Sequence, residues 1–404
     1  MKVALVHDYL NEFGGAERVL LTLSKMYSNA PIYTAFYKKG SQAYRRFKDK
    51  DIRPSWAQSV PGFVDKLHSP LRFLSPLIWE SFDLSEYDLV ISSASWYITK
   101  GIITRPETVH ICYCHTPPRY LYGYSTSIEW QKYWLVRQYA KIVNLFLRKY
   151  DFQAAQRVDY FVANSENTRK RIQKFYRREA RVIYPPVELP QGGRIKRGNY
   201  YLAISRIVGG KGLKLAVEVA NELKLPLKVV GAPAGWGGED KKLREMAGST
   251  VEFLGYVEDE ELAGLYGGAK AFLALAKDED FGITPVEAMA MGTPVVAFNG
   301  GGYKETVVEG KTGVFFNQLR VKSLIEAIRR LDQLNIKEAD CKERARKFSK
   351  QRFVDEMNKF VDKKYKEHFL VYKRDGKKCS RCGGKIKKTK IGGKGTFYCV
   401  KCQI

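Results

Sequence analysis

Short apolar runs alternate with amphipathic stretches along most of the chain. Apolar runs of about four to eight residues are typical of strands buried in a parallel sheet, whereas apolar residues three and four positions apart predict helices. The apolar runs predict strands at Lys2–Tyr9, Asp88–Ser93, Val109–Cys114, Val158–Asn164, Tyr200–Ser205, Leu227–Gly231, Thr250–Tyr256, Ala269–Ala276 and Val295–Phe298. Helical periodicity covers Val19–Tyr27, Leu213–Leu223 and Phe348–Tyr365. Strands that alternate with helices in this way predict an α/β protein with doubly wound parallel sheets.

The pattern is interrupted by a segment rich in proline, glycine and charge. This segment, Pro185–Asn199, has no hydrophobic periodicity and is typical of a linker. A chain of 404 residues accommodates two domains of ordinary size and a small appendage. We therefore predict a first domain at residues 1–184, a second at 185–347, a helical segment at 348–371 and a C-terminal unit at 376–404.

The chain carries a strong positive charge that is unevenly distributed. Its net charge of +26 and its pI near 9.6 favour an anionic partner, such as a nucleotide, a lipid headgroup or nucleic acid. Residues 373–404 hold eleven Lys and Arg residues against one Asp, a net charge of +10. No apolar run has the length of a membrane span. The N-terminal apolar run is followed at once by acids and glycines, as in a first strand and unlike a signal peptide.

The segment Lys277–Gly313 combines two spaced acids with a helix-like run. Glu279 and Glu287 are separated by seven residues, and the second acid lies within the run Val286–Met291, which Gly292 ends. Glu287 is thus expected on the first turn of a helix at the edge of the sheet. A carboxylate there suits two vicinal ribose hydroxyls, as acidic residues do in dinucleotide-binding folds.

Three glycines follow the next strand of the same segment. Gly300–Gly302 come after the buried run Val295–Phe298 and lead to Glu305. A glycine run between a strand and a helix lets backbone N–H groups approach an anionic ligand, because no Cβ atom intervenes. The alternative is an ordinary βαβ unit whose glycines only turn the chain.

Three other loops place polar or glycine residues at the ends of predicted strands. Arg206 and Lys211 bracket a glycine turn before a helix, and two cations beside a helix N-terminus can stabilise a diphosphate leaving group. His115 follows a strand at the edge where open α/β sheets hold ligands, although a single histidine there is more typical of a structural turn. Gly14 and Gly15, between the first strand and its helix, are typical of a phosphate loop and equally of a tight turn.

The segment Lys277–Gly313 resembles the nucleotide-sugar site of GT-B glycosyltransferases, specifically the large retaining family numbered four. That family's pattern is an acid, seven residues, a second acid, a GTPVVA strand, and a loop with two glycines and an acid. About thirty residues of the chain match this pattern in order. The resemblance implies two Rossmann-like domains that face a cleft, with the final helix crossing back to the first domain. It also implies transfer of a sugar from a nucleotide donor with retention of the anomeric configuration.

The same resemblance implies roles for individual residues. The residues implied in catalysis are His115, Arg206, Lys211 and Glu279. The residues implied in donor binding are Gly14, Gly15, Gly282, Ile283, Glu287, Gly301, Gly302 and Glu305. No metal is expected at the active site, because cations and helix termini take its place at the leaving diphosphate.

The sequence constrains the sugar and the acceptor less. The motifs VHDYLNEFGGAER and CHTPPRYLY resemble those of bacterial mannosyltransferases of surface-polysaccharide assembly. GDP-mannose is therefore the first expectation for the donor and a UDP-sugar the second, with a saccharide or a lipid-linked acceptor. Two other functions stay open: a nucleotide-sugar epimerase of the same fold, which needs no acceptor, and a nucleic-acid-binding protein with a vestigial transferase site.

An aromatic and basic stretch, Tyr120–Tyr150, is suited to a membrane interface. Trp and Tyr rings lie well at headgroup depth, and Lys and Arg bind anionic lipid. A second basic cluster, Arg169–Arg181, adds to the positive charge available to anionic lipid. The alternative is an amphipathic helix that packs on its own domain. We expect a cytoplasmic protein, with peripheral contact to the inner face of an anionic membrane as a hypothesis.

Four cysteines near the C-terminus form two CxxC pairs. Cys379 and Cys382 are separated from Cys399 and Cys402 by sixteen residues. Four thiolates in paired CxxC knuckles predict a tetrahedral Zn²⁺ site, and a closed sulfur shell is structural, not catalytic. The cysteine pattern does not suggest a disulfide framework, so we expect a reducing compartment.

The tail resembles the C-terminal zinc finger of formamidopyrimidine-DNA glycosylases, which some isoleucyl-tRNA synthetases also carry. In the hairpin before TFYC, Lys394 stands where that finger often has an arginine that touches DNA. Lys2 follows Met1, so the N-terminal proline nucleophile of the glycosylases is missing and no glycosylase activity is implied. The lysine-rich hairpin Lys385–Lys394 predicts weak, salt-sensitive binding of polyanions, nucleic acid included.

Overall fold

The first domain is built on a seven-stranded parallel sheet. The computed structural model describes residues 1–124, 133–188, 195–233, 238–368, 374–379, 381–391 and 394–402. The strands of this sheet are β1 (Val3–His7), β2 (Ile32–Thr34), β3 (Ile52–Pro54), β4 (Leu89–Ala94), β5 (Val109–Cys114), β6 (Tyr160–Ala163) and β7 (Ala180–Val182). Their spatial order is β3-β2-β1-β4-β5-β6-β7. The order reverses between β1 and β4, which is where open α/β sheets hold ligands.

Helices connect these strands and supply most of the remaining core. Those that the structure describes are α1 (Gly15–Met26), α2 (Gln42–Phe47), α3 (Ser75–Glu80), α4 (Trp134–Arg157) and α5 (Glu166–Tyr176). The long helix α4 turns Leu147, Tyr150 and Ala154 inward onto the domain. Its acidic residue Asp151 is buried and pairs with Lys100, so the charge of Asp151 does not reach the surface.

The second domain repeats the arrangement with a six-stranded parallel sheet. Its strands are β8 (Tyr201–Ile204), β9 (Leu227–Val230), β10 (Val251–Gly255), β11 (Ala271–Ala274), β12 (Val295–Phe298) and β13 (Gly313–Phe316), in the order β10-β9-β8-β11-β12-β13. Its helices are α6 (Leu213–Leu223), α7 (Glu239–Met246), α8 (Asp259–Gly268), α9 (Ile283–Ala290), α10 (Tyr303–Thr306), α11 (Val321–Gln333) and α12 (Glu338–Arg346). The order reverses between β8 and β11, so both domains carry a ligand crevice at the carboxyl ends of their strands.

The helix α13 (Lys350–His368) belongs to the core of the first domain. It buries Phe353, Met357 and Val361, which are spaced four residues apart and form one face of a helix. The ring of Phe353 packs edge-on against Tyr113 of β5, with ring centroids 5.8 Å apart. The chain therefore returns from the second domain to the first.

The α/β class and the two doubly wound sheets predicted from the alternating pattern are confirmed. Two helices, however, begin earlier than predicted: α1 begins at Gly15 and α9 at Ile283. The first turn of α9 contains threonine and proline, so hydrophobic periodicity does not mark it. The prediction that Glu287 lies on the first turn of its helix is consequently wrong, because four residues of α9 precede it.

The C-terminal tail forms a small antiparallel hairpin of β14 (Ile386–Ile391) and β15 (Lys394–Cys399). The side chain of Lys394 lies outside the described residues. So do residues 125–132 of the aromatic and basic stretch, 189–194 of the linker and 392–393 of the hairpin. Within the described ranges, no helix combines the length and the hydrophobicity that crossing a bilayer requires.

Candidate active site

A cavity of about 330 Å³ lies between the two domains. Its lining includes Gly15, Ala16, Ser95, His115 and Asn164 of the first domain, and Ser205, Arg206, Lys211, Glu279, Asp280, Gly282, Ile283 and Thr284 of the second. Ser95, His115, Asn164 and Ser205 directly follow the carboxyl ends of β4, β5, β6 and β8, and the other residues of the second domain lie in the loops after β8 and β11 or at the start of α9. The cavity therefore occupies the position that the topology of each sheet reserves for a ligand.

Helix α9 begins at the cavity wall. Gly282, Ile283 and Thr284 line the cavity, so the unpaired N–H groups of the first turn and the positive end of the helix dipole favour an anion there. Gly282 has a φ of +90°, and a Cβ atom at this position would lie 2.8 Å from the Tyr303 ring. Gly15, at the start of α1, faces α9 across the cleft, because an added Cβ would lie 3.0 Å from Ile283 Cδ1.

Lys211 and Glu279 form an ion pair in the cavity wall, with 2.9 Å between Nζ and Oε2. Burial raises the pKa of Glu279, but the charge and hydrogen bond of Lys211, together with the charge of Arg119, outweigh it. The pKa of Glu279 therefore lies below its ordinary value, and the group stays a carboxylate. The turn that holds Lys211 requires Gly212, whose φ is +77° and whose added Cβ would lie 2.5 Å from Leu275 Cβ.

Arg206 lines the cavity and pairs with an acid of the first domain. Its guanidinium lies 2.5 Å from Glu12 Oε2, and both side chains are more than half exposed. An exposed ion pair of this kind contributes little to stability, typically about 0–1 kcal/mol. A phosphate group in the cavity can therefore replace Glu12 as the partner of Arg206 at a small cost in free energy.

Glu287 is buried and already has two protein partners. Arg18 of α1 lies 3.2 Å from Glu287 Oε1, and the Tyr266 hydroxyl donates to Oε2 at 2.7 Å. Arg18 also contacts Asp259 at 3.2 Å. A ribose that binds Glu287 must therefore share this carboxylate with a cation from the opposite domain.

The glycines after β12 hold the Glu279 segment in place. The N–H of Gly302 donates to the Glu279 carbonyl at 2.9 Å, so it is engaged within the protein. A Cβ on Gly301 would lie 2.2 Å from that same carbonyl oxygen, and a Cβ on Gly302 would lie 2.3 Å from Phe281 Cα. Close backbone packing explains why these two positions are glycine.

Two further acids of this segment bind the first domain. Asp280 accepts from Arg119 at 2.7 Å and from Arg171 at 2.6 Å. Glu305, expected at the donor, accepts two backbone N–H groups at the start of α5, at 2.7 and 2.9 Å. Sequence reasoning missed Asp280 and its two arginines. The available signal was an acid directly beside Glu279, and nothing in the sequence pointed to partners in the other domain.

His115 is held at the cavity by a series of buried hydrogen bonds. Its Nε2 is 2.8 Å from Ser93 Oγ, and the same oxygen is 3.1 Å from His7 Nδ1. His7 Nε2 is in turn 3.2 Å from Glu17 Oε1. Burial lowers the pKa of His115 to about 3, so its imidazole is neutral at ordinary pH. Sequence reasoning identified His115 and none of the other three residues.

The four tail cysteines converge on one point. Their Sγ atoms all lie within 4.8 Å of one another, and the Gly384 N–H donates to Cys382 Sγ at 3.4 Å. A zinc–thiolate distance of about 2.3 Å places the sulfurs of a tetrahedral site about 3.8 Å apart. The cluster therefore fits a tetrahedral metal with four sulfur ligands.

The chain matches three described families. Residues 13–191 match Glycosyltransferase Family 4, and residues 188–348 match Glycosyl transferases group 1. Residues 376–404 match the zinc finger found in FPG and IleRS.

Relatives of known activity match most of the chain at low identity. The alpha-1,3/1,6-mannosyltransferase of Dictyostelium discoideum is 25% identical over 431 residues, which covers 90% of this chain and 98% of the relative. The enzyme of the same description from Kluyveromyces lactis is 25% identical and covers 76% of this chain and 71% of its own length.

Solved structures resemble the whole two-domain unit. Anabaena HepE in complex with UDP superposes with a TM-score of 0.64 at 16% identity, over 90% of this chain and 100% of that structure. Sucrose-phosphate synthase from Thermosynechococcus elongatus superposes with a TM-score of 0.69 at 15% identity, over 91% and 100%. At such identities the likeness establishes the fold, two Rossmann-like domains around a cleft.

Proposed function

We propose that this chain, a glycosyltransferase of the GT-B fold that moves a sugar from a nucleotide-sugar, transfers mannose to a saccharide or lipid-linked acceptor with retention of configuration. The observation that carries the proposal is one cavity lined by the Lys211–Glu279 pair, Arg206 and the first turn of α9, because the two cations and the helix N-terminus suit a departing nucleoside diphosphate. The printed activity of the mannosyltransferase relatives supports mannose. The likeness of the Glu279–Glu287 segment to that of the retaining family supports retention.

The proposed chemistry depends mainly on stabilisation of the leaving group. As the bond between the sugar and the diphosphate breaks, negative charge grows on the phosphate oxygens and positive charge grows on the sugar ring. Lys211, Arg206 and the first turn of α9 stabilise the negative charge, and such groups act strongly in a site shielded from water. His115, being neutral, can hydrogen-bond the sugar without placing a second positive charge beside it.

Donor binding uses the second domain. Glu287 is the candidate for binding the ribose hydroxyls, and its ion pair with Arg18 brings a residue of the first domain next to that carboxylate. GDP-mannose is the first candidate donor. A UDP-sugar is the second candidate, because UDP is the ligand in the HepE structure.

The test is a donor screen on the purified full-length chain. We expect GDP-mannose to raise the melting temperature most and to release GDP when a mannose acceptor is added. NMR of the product should show the anomeric configuration of the donor. An inverted product, or a free epimerised nucleotide-sugar formed without acceptor, would contradict the proposal, and the second result would establish an epimerase.

Helix α4 supports a place for the enzyme at a membrane surface. Five large apolar residues on its outer side, here called the outward α4 face, are each 54–73% exposed: Trp134, Leu135, Ile142, Leu145 and Phe146. They lie within about 120° of one another around a helix of 3.6 residues per turn. The inward side of the same helix packs on the domain, so α4 has two apolar sides, and the described residues cover only one of them.

The charges of α4 favour an anionic bilayer as the partner that buries the outward α4 face. Arg137, Lys141, Arg148 and Lys149 are exposed beside the outward α4 face, whereas the acid of the helix, Asp151, is buried. A second copy of the chain would bring the same cations against this face, and like charges repel. We therefore propose peripheral binding to anionic lipid at the cytoplasmic side of a membrane, where a lipid-linked acceptor is within reach.

The tail is proposed to hold one structural Zn²⁺ through its four cysteines. A closed sulfur shell leaves no open position for catalysis, and four thiolates with one Zn²⁺ change the tail charge from +10 to +8. This field suits a polyanion, such as nucleic acid, anionic lipid or a charged polysaccharide. The binding should be weak and should fall steeply with salt.

A further inference from the structure

A line of buried hydrogen bonds leads from the start of α1 to the cavity. It joins Glu17, His7, Ser93 and His115 through distances of 3.2, 3.1 and 2.8 Å. His7 and Ser93 are directly paired across β1 and β4, so the sheet register itself sets their contact. The second oxygen of Glu17 accepts the N–H of Gly14 at 2.8 Å, which fixes the carboxylate at the helix start.

The proton positions along this line depend on one another. A carboxylate only accepts, so Glu17 requires a proton on His7 Nε2. In a neutral His7 the Nδ1 atom must then accept, so Ser93 gives its single hydroxyl proton to His7. Ser93 Oγ then accepts from His115 Nε2–H, and the remaining ring nitrogen of His115, Nδ1, carries a lone pair.

We propose that Glu17, His7 and Ser93 are positioning residues that hold His115 as the Nε2–H tautomer, so that Nδ1 accepts a hydrogen bond from a sugar hydroxyl in the cavity. The identity of the ligand rests on the proposed transferase function, whereas the tautomer does not. The proton position on a histidine is set by the partner of each ring nitrogen. Here the partner of His115 Nε2 is Ser93, and the charge of Glu17 sets the direction of the Ser93 hydroxyl through His7.

The chain contains a matched control one residue away. Ser92 precedes Ser93 on β4, is equally buried, and lies 2.8 Å from Nε2 of another buried histidine, His110. Ser92→Ala and Ser93→Ala thus remove the same atom and the same kind of hydrogen bond from the same strand. Only Ser93→Ala interrupts the line to the cavity.

The first experiment measures the tautomer directly. The chain has five histidines, so ¹⁵N imidazole resonances of the full-length protein can be assigned with single histidine variants. We expect the Nε2–H tautomer for His115 in the wild type and in Ser92→Ala, and a mixture in Ser93→Ala and Glu17→Gln, because an amide can donate as well as accept. A wild-type Nδ1–H tautomer, or a tautomer unchanged in both variants, overturns the proposal.

The second experiment measures turnover. We expect Ser93→Ala and Glu17→Gln to lower kcat by about tenfold, the order that the loss of one correctly oriented hydrogen bond costs. Ser93→Thr should restore turnover. An equal loss in Ser92→Ala overturns the proposal. A wild type that transfers no sugar refutes the transferase function and leaves the NMR result to decide the tautomer.

Discussion

Replacement of Lys211 by alanine tests the charge arrangement on which the proposed reaction depends. The lysine Nζ is 2.9 Å from Glu279 Oε2, and the two side chains are only 25% and 20% exposed. The variant removes a positive charge from the leaving-group side of the cavity and leaves Glu279 without its nearest cation. Since burial alone raises the pKa of Glu279, the carboxyl also becomes easier to protonate.

The size of the effect follows from the degree of burial. Loss of one group that stabilises developing negative charge in a shielded site costs on the order of 10²–10³ in rate, about 2.7–4 kcal/mol of activation free energy. An ion pair on the open surface contributes typically about 0–1 kcal/mol. The Lys211 pair belongs to the first case, so we expect kcat for donor turnover to fall at least about 100-fold.

The assay is release of nucleoside diphosphate, with kcat and KM determined separately. The control is Lys214→Ala, three residues further along the chain, where the lysine is 68% exposed and lies 3.7 Å from Glu218. We expect the control to keep wild-type kinetics. If folded Lys211→Ala keeps a kcat within a few-fold of the wild type, Lys211 does not stabilise the leaving group.

Three further outcomes are expected. Burial lowers the pKa of His110 and of His115 to about 3, so below the unfolded-chain histidine pKa of about 6.5 the unfolded chain binds protons that the folded chain does not. The free energy of unfolding should therefore have its full value above this pH and should fall toward pH 3 by up to roughly 1.4 kcal/mol per pH unit and histidine. In denaturant titrations His110→Gln should flatten this dependence on pH, and an unchanged slope would contradict the reasoning. Glutamine at Leu135 and Ile142 of the outward α4 face should abolish binding to anionic vesicles, which in the wild type should weaken with salt; equal wild-type binding to neutral vesicles would count against the membrane role. Truncation after Tyr372 should remove the zinc and shorten retention on heparin while donor turnover persists, and a truncated protein that keeps its metal, or folds without activity, would contradict a separate structural tail.

Nine of the thirteen strands described in the two sheets were predictable because buried parallel strands are continuous apolar runs, and β5 and β12 have the predicted ends. The strands β2, β3, β7 and β13 were not predicted. The starts of α1 and α9 were not predicted either, because the first turn of α1 carries glycine and charged residues, and that of α9 carries threonine and proline. A helix can begin wherever backbone N–H groups find ligands or solvent, and hydrophobic periodicity does not record that.

The candidate site divides in the same way. Lys211 and Glu279 could be found together, because short motifs hold each at the end of a strand of one sheet. Arg18 and Glu287 could not, because their contact joins opposite domains and is set by how the domains close. The line from Glu17 to His115 was also hidden, since its members lie on different elements and only the register of β1 against β4 brings them together.

Arg119 belongs to the first domain, yet its charge acts on two neighbouring acids of the second. It donates to Asp280 and contributes to the low pKa of Glu279. Part of the charge that keeps Glu279 ionised therefore comes from the other domain. Any separation of the two domains removes that counter-charge from two adjacent carboxylates and raises the pKa of Glu279, so the electrostatics of the site are complete only while both domains contribute to it.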